Sequence, residues 1–227
     1  MSNSDGFIDE VTDALRRDQM IAKLKRYGWV GVLAVLAIVG GAAFTEYRAS
    51  QVRAQAEGLG DAVLGALDST DAATRAAALQ AIEAPAPQAG AVLLLLTASE
   101  HVAAGDLAAA VANLDAVAAN NDIPMVYRQI AQFKALTLQS GTLDAATRRQ
   151  GFEDLSGAGG TLRLLSQEQL ALISIQQGDT ATAITTYQAI LNDAQVTPDL
   201  QQRALQVIVA LGAEPDLTGA PIQDSNG

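Results

Sequence analysis

Residues 98–114 read ASEHVAAGDLAAAVANL, and residues 171–187 read ALISIQQGDTATAITTY. In each stretch a Gly-Asp pair, Gly105-Asp106 or Gly178-Asp179, interrupts a helical pattern. Alanine stands seven residues before the glycine (Ala98, Ala171) and five after it (Ala110, Ala183), and a large side chain stands nine after (Leu114, Tyr187). Glycine reverses the chain without a steric penalty. Small residues let two antiparallel helices approach, and the larger residue fills the space between neighbouring hairpins. A third turn, Gly141-Thr142, lies between the first two at spacings of 36 and 37 residues. It keeps the alanine at Ala146 but places Lys134 and Gln150 at the other two positions. The spacing predicts stacked α-hairpins, a solenoid, in preference to a plain alanine-rich bundle.

Composition agrees with helices. Of 227 residues 45 are alanine and only 4% are aromatic, which disfavours a β sandwich. Cysteine is absent and His101 is the single histidine, so thiolate chemistry and two-histidine metal sites are excluded. Working outward, Ser69 or Thr70 is expected to cap a helix that runs through Ile82 and ends before Pro85 and Pro87. Ser166 with Gln169 forms a capping-box pattern, and Thr197-Pro198 an N-cap followed by a first helical residue.

Upstream, Tyr27 to Thr45 is an uncharged run of 19 residues, YGWVGVLAVLAIVGGAAFT, with Tyr27 and Trp29 at one end and Phe44 and Tyr47 at the other. At 1.5 Å per residue it would span about 28 Å, close to a bilayer core. An uncleaved anchor is expected over a signal peptide, because residues 1–26 hold five acids and carry an amphipathic pattern through Phe7, Ile8, Val11 and Leu15. Five basic residues precede the run and two follow it closely, which predicts an N-terminus inside a bacterial inner membrane and a periplasmic C-terminal domain. The net charge of −11 falls wholly after residue 45. An acidic body is a poor partner for nucleic acid. Ala34, Ala37 and Gly41 share one stripe of the run, a candidate helix contact.

The expected organisation is therefore all-α. It comprises an amphipathic segment (1–26), a transmembrane helix (27–45), an exit helix with a first hairpin (46–87), degenerate hairpin repeats (88–212) and a loose tail (213–227). The Gly-Asp units resemble tetratricopeptide (TPR) repeats, whose period is about 34 residues. The whole layout, from FIDEVTDALRRDQMIAKLKRYGW through one span and an E-YRASQ helix to degenerate hairpins, resembles the family of the ancillary subunit of the SecYEG translocon. That resemblance implies association with the translocon and assistance to newly exported proteins. It carries over no individual functional residue.

The remaining polar groups point away from catalysis. His101 has no acidic or serine neighbour at catalytic spacing. Glu153 and Asp154 are adjacent and diverge on a helix. Gly157-Ala158-Gly159-Gly160 lacks the lysine of a phosphate loop, and Asn120-Asn121-Asp122 reads as a turn rather than a calcium loop. No cofactor, metal or small-molecule substrate is implied. With one lysine and scattered arginines in the body, a carboxylate-gripping groove is not expected, and extended apolar or basic polypeptide segments suit the overall charge better. Two non-enzymatic roles remain open: a translocon-associated adaptor, or a constitutive accessory subunit of another membrane complex.

Overall fold

The computed structural model describes residues 4–160 and 162–218; within the first helix, the side chains of residues 4–24, 26–28, 31–32 and 34–35 lie outside that description. The described residues are helical throughout, with no strand. The chain divides into two units, Met1–Gly60 and Asp61–Gly227.

Helix α1 spans Ser4–Ala66, so its last residues belong to the second unit. It contains no proline and is rich in alanine, leucine and valine, so nothing in its backbone interrupts the ladder. Its described side chains are almost all exposed, Trp29, Ile38, Val39 and Phe44 among them. The Arg48 guanidinium lies 5.0 Å from the Phe44 ring centroid, and Arg53 pairs with Glu46 at 3.4 Å. Among the described residues no helix is long and apolar enough to cross a membrane. The expected single-pass inner-membrane placement with a periplasmic domain is corrected on that finding. Ala37 and Gly41 are exposed, and a Cβ at Gly41 would meet nothing within 4 Å. Ala34, like the amphipathic pattern of 1–26, lies outside the described side chains.

The second unit continues with α2 (Ala72–Gln80), α3 (Pro87–Ala103), α4 (Leu107–Ala119) and α5 (Met125–Leu138). A 3₁₀ turn (Gln139–Gly141) leads into α6 (Ala145–Gly157), α7 (Arg163–Gln176), α8 (Thr180–Leu191) and α9 (Pro198–Ala210). Each helix from α2 onward packs chiefly on the next in the chain. Four of them begin at a capping aspartate. Asp71, Asp106, Asp144 and Asp179 accept the backbone N–H of Thr74, Ala109, Thr147 and Thr182 at 2.7–3.1 Å, satisfying one otherwise unpaired donor of the first turn. Gly105 and Gly178 take left-handed φ of 80° and 79° and close the preceding helix. In both turns the following aspartate N–H donates to the carbonyl five residues back, His101 or Ser174, at 2.9 Å. Glycine ends one helix and aspartate starts the next with no residue between them.

The middle turn differs. Gly141 lies in the 3₁₀ turn and its φ is not positive, and the cap is Asp144, three residues later. Counting from the caps rather than the glycines restores the register. Eight residues before the cap stand Ala98, Leu136 and Ala171; four after stand Ala110, Arg148 and Ala183; eight after stand Leu114, Phe152 and Tyr187. All nine are buried. Ala146, Lys134 and Gln150, the positions counted from Gly141, are exposed.

The caps expose a longer period. Asp71 and Asp144 are 73 residues apart, as are Asp106 and Asp179, and residues 71–75 and 144–148 are both DAATR. Under the same shift α2 to α5 line up in order with α6 to α9 along the chain. Buried Leu79 corresponds to Phe152, Val117 to Ile190, Ile123 to Val196, and Ala131 to Ala204. Asn120 and Asp193 form the same turn, each accepting the N–H two residues on at 2.9 Å. Packing between α5 and α6, where the two copies meet, is much sparser than within either copy. There Arg148 takes the place that alanine holds in α4 and α8. A Cβ on Gly151 would come within 2.6 Å of Leu136 Cδ1, so any larger residue where α6 meets α5 would push the Leu136 side chain aside. Phe133 and Phe152 seal the junction edge to face, with centroids 5.6 Å apart.

Three smaller expectations change. Helix α2 is capped by Asp71, not by Ser69 or Thr70, and ends at Gln80 rather than Ile82. Helix α7 starts at Arg163 with Leu162 at its N-cap, so Ser166 lies inside the helix, buried, rather than capping it. The tail is tied down as far as it is described. Gln188 accepts the Asp216 N–H at 2.9 Å and Ala213 packs on the core; residues 219–227 lie outside the described residues.

Ala110→Leu and Ala183→Leu should each overpack a hairpin and cost about 1–3 kcal/mol in urea unfolding. Ala146→Leu, at an exposed site, should stay within about 0.5 kcal/mol of the parent. Equal losses at all three would refute the cap-based register.

The capping carboxylates also set a pH dependence. The hydroxyl and then the N–H of Thr74, Thr147 and Thr182 hold Asp71, Asp144 and Asp179 below the usual carboxylate range. Arg163 does the same for Asp193. With folded pKa values depressed, their stabilisation is complete above the unfolded value of about 3.9 and is lost as pH falls through the folded values. The urea midpoint should therefore fall between pH 5 and pH 2.5. Asp144→Asn/Asp179→Asn should show a smaller fall over that range, and an identical fall in parent and variant would contradict the assignment.

Candidate functional site

The first copy encloses an open cleft of about 250 Å³ between α3 and α5, floored by α4. Ala98 and Leu114, both buried, form its base. Leu95 and Val102 come from α3, and Phe133, Lys134 and Leu138 from α5. The lining is almost entirely apolar, and Val102 and Lys134 are exposed at its edge. Local sequence accounts for this shape. Alanine at 98 and 110 brings α3 and α4 together, while leucine at 114 is too short to reach the top of the trough between α3 and α5.

The corresponding place in the second copy has a different chemistry. Shifted by 73 residues, Leu114 becomes Tyr187, a fully buried phenol, and Leu95 becomes Glu168. Glu168 is held by Arg203 of α9 through two bonds of 2.8 and 2.9 Å. Burial, and then the neighbouring Glu168, push the Tyr187 hydroxyl up to about 12, so it stays neutral. Lys134 becomes Val207, half-buried against the core. An aromatic ring and an ion pair take the positions that border the open cleft in the first copy.

Every arginine of the second unit is bonded within the fold. Arg75 binds Glu100 at 2.6 Å and Arg163 binds Asp193 at 2.9 Å. Arg148 reaches Gln176 at 2.7 Å, Arg149 reaches Gln177 at 2.8 Å, and Arg128 reaches the Ala118 carbonyl at 3.2 Å. Arg203 completes the set with Glu168. These bonds join neighbouring helices, so the guanidinium groups act as struts. Lys134 is the one lysine of this unit, and among the described residues no carboxylate lies within ion-pair distance of it.

Of the residues singled out in the sequence, Ala98 and Leu114 border the cleft, while Gly105, Asp106 and Ala110 shape the hairpin beneath it. Ala171, Gly178, Asp179, Ala183 and Tyr187 hold the matching positions of the second copy. Phe133, Lys134 and Val102 belong to the cleft without having been singled out for it. The signal available for Phe133 was its place on the apolar face of α5. His101 lies on α3 with Nε2 3.1 Å from the Gln80 amide. Asp154 accepts from Gln150 at 3.0 Å, one helical turn back. Among the described residues no group of three His, Asp or Glu side chains is placed to hold a metal ion. Compared with protein-family models, curated proteins and solved structures, the chain finds no match in any of the three.

Proposed function

We propose that the second unit is a non-enzymatic, TPR-like adaptor domain that holds apolar side chains of extended polypeptide segments in the α3–α5 cleft. The observation that carries this reading is the contrast between the copies: a shared helical frame, with Leu114 below an open apolar trough in one and a buried Tyr187 in the other. A trough bordered by alternate helices and floored by the helix between them suits an extended chain, whose side chains enter it while its backbone stays solvated. A cavity of about 250 Å³ accommodates one large apolar side chain rather than a cofactor. Nearest-neighbour packing and hairpins capped at intervals of 35 to 38 residues support the TPR-like description. Among larger complexes, the resemblance to the translocon-subunit family favours a protein-export channel as the assembly served, with newly made polypeptides as clients.

The full-length protein should slow the aggregation of a reduced, unfolded client such as lysozyme. Val102→Asp at the edge and Leu114→Tyr at the base should abolish the effect while leaving the melting temperature within a few degrees of the parent. Affinity recovery of the full-length protein should bring the export channel with it. Stoichiometric recovery with a different complex, together with no effect on clients, would instead establish the accessory-subunit role.

A further inference from the structure

We infer that the cleft selects apolar side chains flanked by a carboxylate, through Lys134, although the chain as a whole is strongly acidic. This rests on the cleft being a polypeptide-binding site and names the segment it prefers.

The overall charge of −11 predicts the opposite preference, for basic segments. At physiological salt, however, charges beyond about 8 Å are largely screened, so the helices bordering the cleft decide. Helix α5 carries Arg128 and Lys134 and no acid. Helix α3 carries one acid, Glu100, already paired with Arg75 at 2.6 Å. Helix α4 carries Asp115, exposed and not part of the cleft lining. Lys134 is thus the one charged side chain that lines the cleft, and its ammonium has no carboxylate partner among the described residues. A segment that buries a leucine or phenylalanine over Leu114 brings its neighbouring residues to the cleft edge. An aspartate or glutamate there gains an ion pair beside an apolar surface, and a lysine there meets a like charge. The second copy has Val207 at this position and offers no such partner.

The test uses the full-length protein and two fluorescein-labelled decapeptides that share a central Leu-Phe pair, one with glutamate flanks and one with lysine flanks. In fluorescence anisotropy at 0.15 M salt the glutamate peptide should bind about three- to tenfold more tightly. The difference should shrink at 0.5 M salt, vanish in Lys134→Gln and reverse in Lys134→Glu. Leu114→Tyr should weaken both peptides alike. Equal affinities in the parent, or a preference that survives Lys134→Gln, would overturn the Lys134 inference while leaving the cleft as a binding site. Failure of both peptides to bind the parent would overturn the cleft reading itself.

Discussion

The carboxylate that caps every other helix, α2, α4, α6 and α8, is the constraint on which the rest of the second unit depends. Asp71, Asp106, Asp144 and Asp179 each bind a backbone N–H at the start of a helix, and by doing so they fix where that helix begins. Helical geometry then determines which residues face the preceding helix. Positions four and eight beyond Asp106, Asp144 and Asp179 are buried, and eight residues before each cap the partner helix presents its own buried residue. Where alanine occupies the near position, two helices close together. Where arginine occupies it, at Arg148, packing on the preceding helix is sparser, and the side chain bonds instead to Gln176 at the end of α7. Packing, spacing and the location of the cleft all follow from that one register.

The 73-residue relation gives the unit a simple organisation of two four-helix copies, α2–α5 and α6–α9, in contact across a sparse junction. The second copy has the larger buried phenol, an ion pair between α7 and α9, and the Asp193–Arg163 pair; the first retains a short leucine and an open trough. Stability and an exposed apolar surface are conflicting demands on the same helices. A repeated frame meets them in separate places.

Much of this was legible from the residues. Helices, the two Gly-Asp turns and the buried partners of Ala110 and Ala183 all follow from glycine conformation and helical spacing. Counting from Gly141 misplaces the register of the middle hairpin, because a glycine inside a 3₁₀ turn does not mark a helix end in the way a left-handed glycine does. The repeated DAATR was the signal that would have corrected it, since an N-cap aspartate with threonine three residues on is the more reliable anchor. Serine three residues before glutamine resembles a cap at Ser166, but the helix has already begun three residues earlier, at Arg163. The hydrophobic run of 27–45 suggests a membrane span, whereas among the described residues no helix is long and apolar enough to cross a membrane. The cleft was not legible, because it depends on Leu114 being shorter than Tyr187 in a frame that only the 73-residue register aligns.

The most direct measurement is photocrosslinking from two positions exactly one copy apart. A benzoyl-phenylalanine at Ser99, beside the open cleft, and another at Leu172, its counterpart in α7, would each be placed in the full-length chain with an unfolded client present. The account predicts a client adduct from position 99 and little or none from position 172. Adducts of equal yield from both, or from position 172 alone, would contradict the claim that polypeptide enters at the α3–α5 cleft and not at the matching place of the second copy.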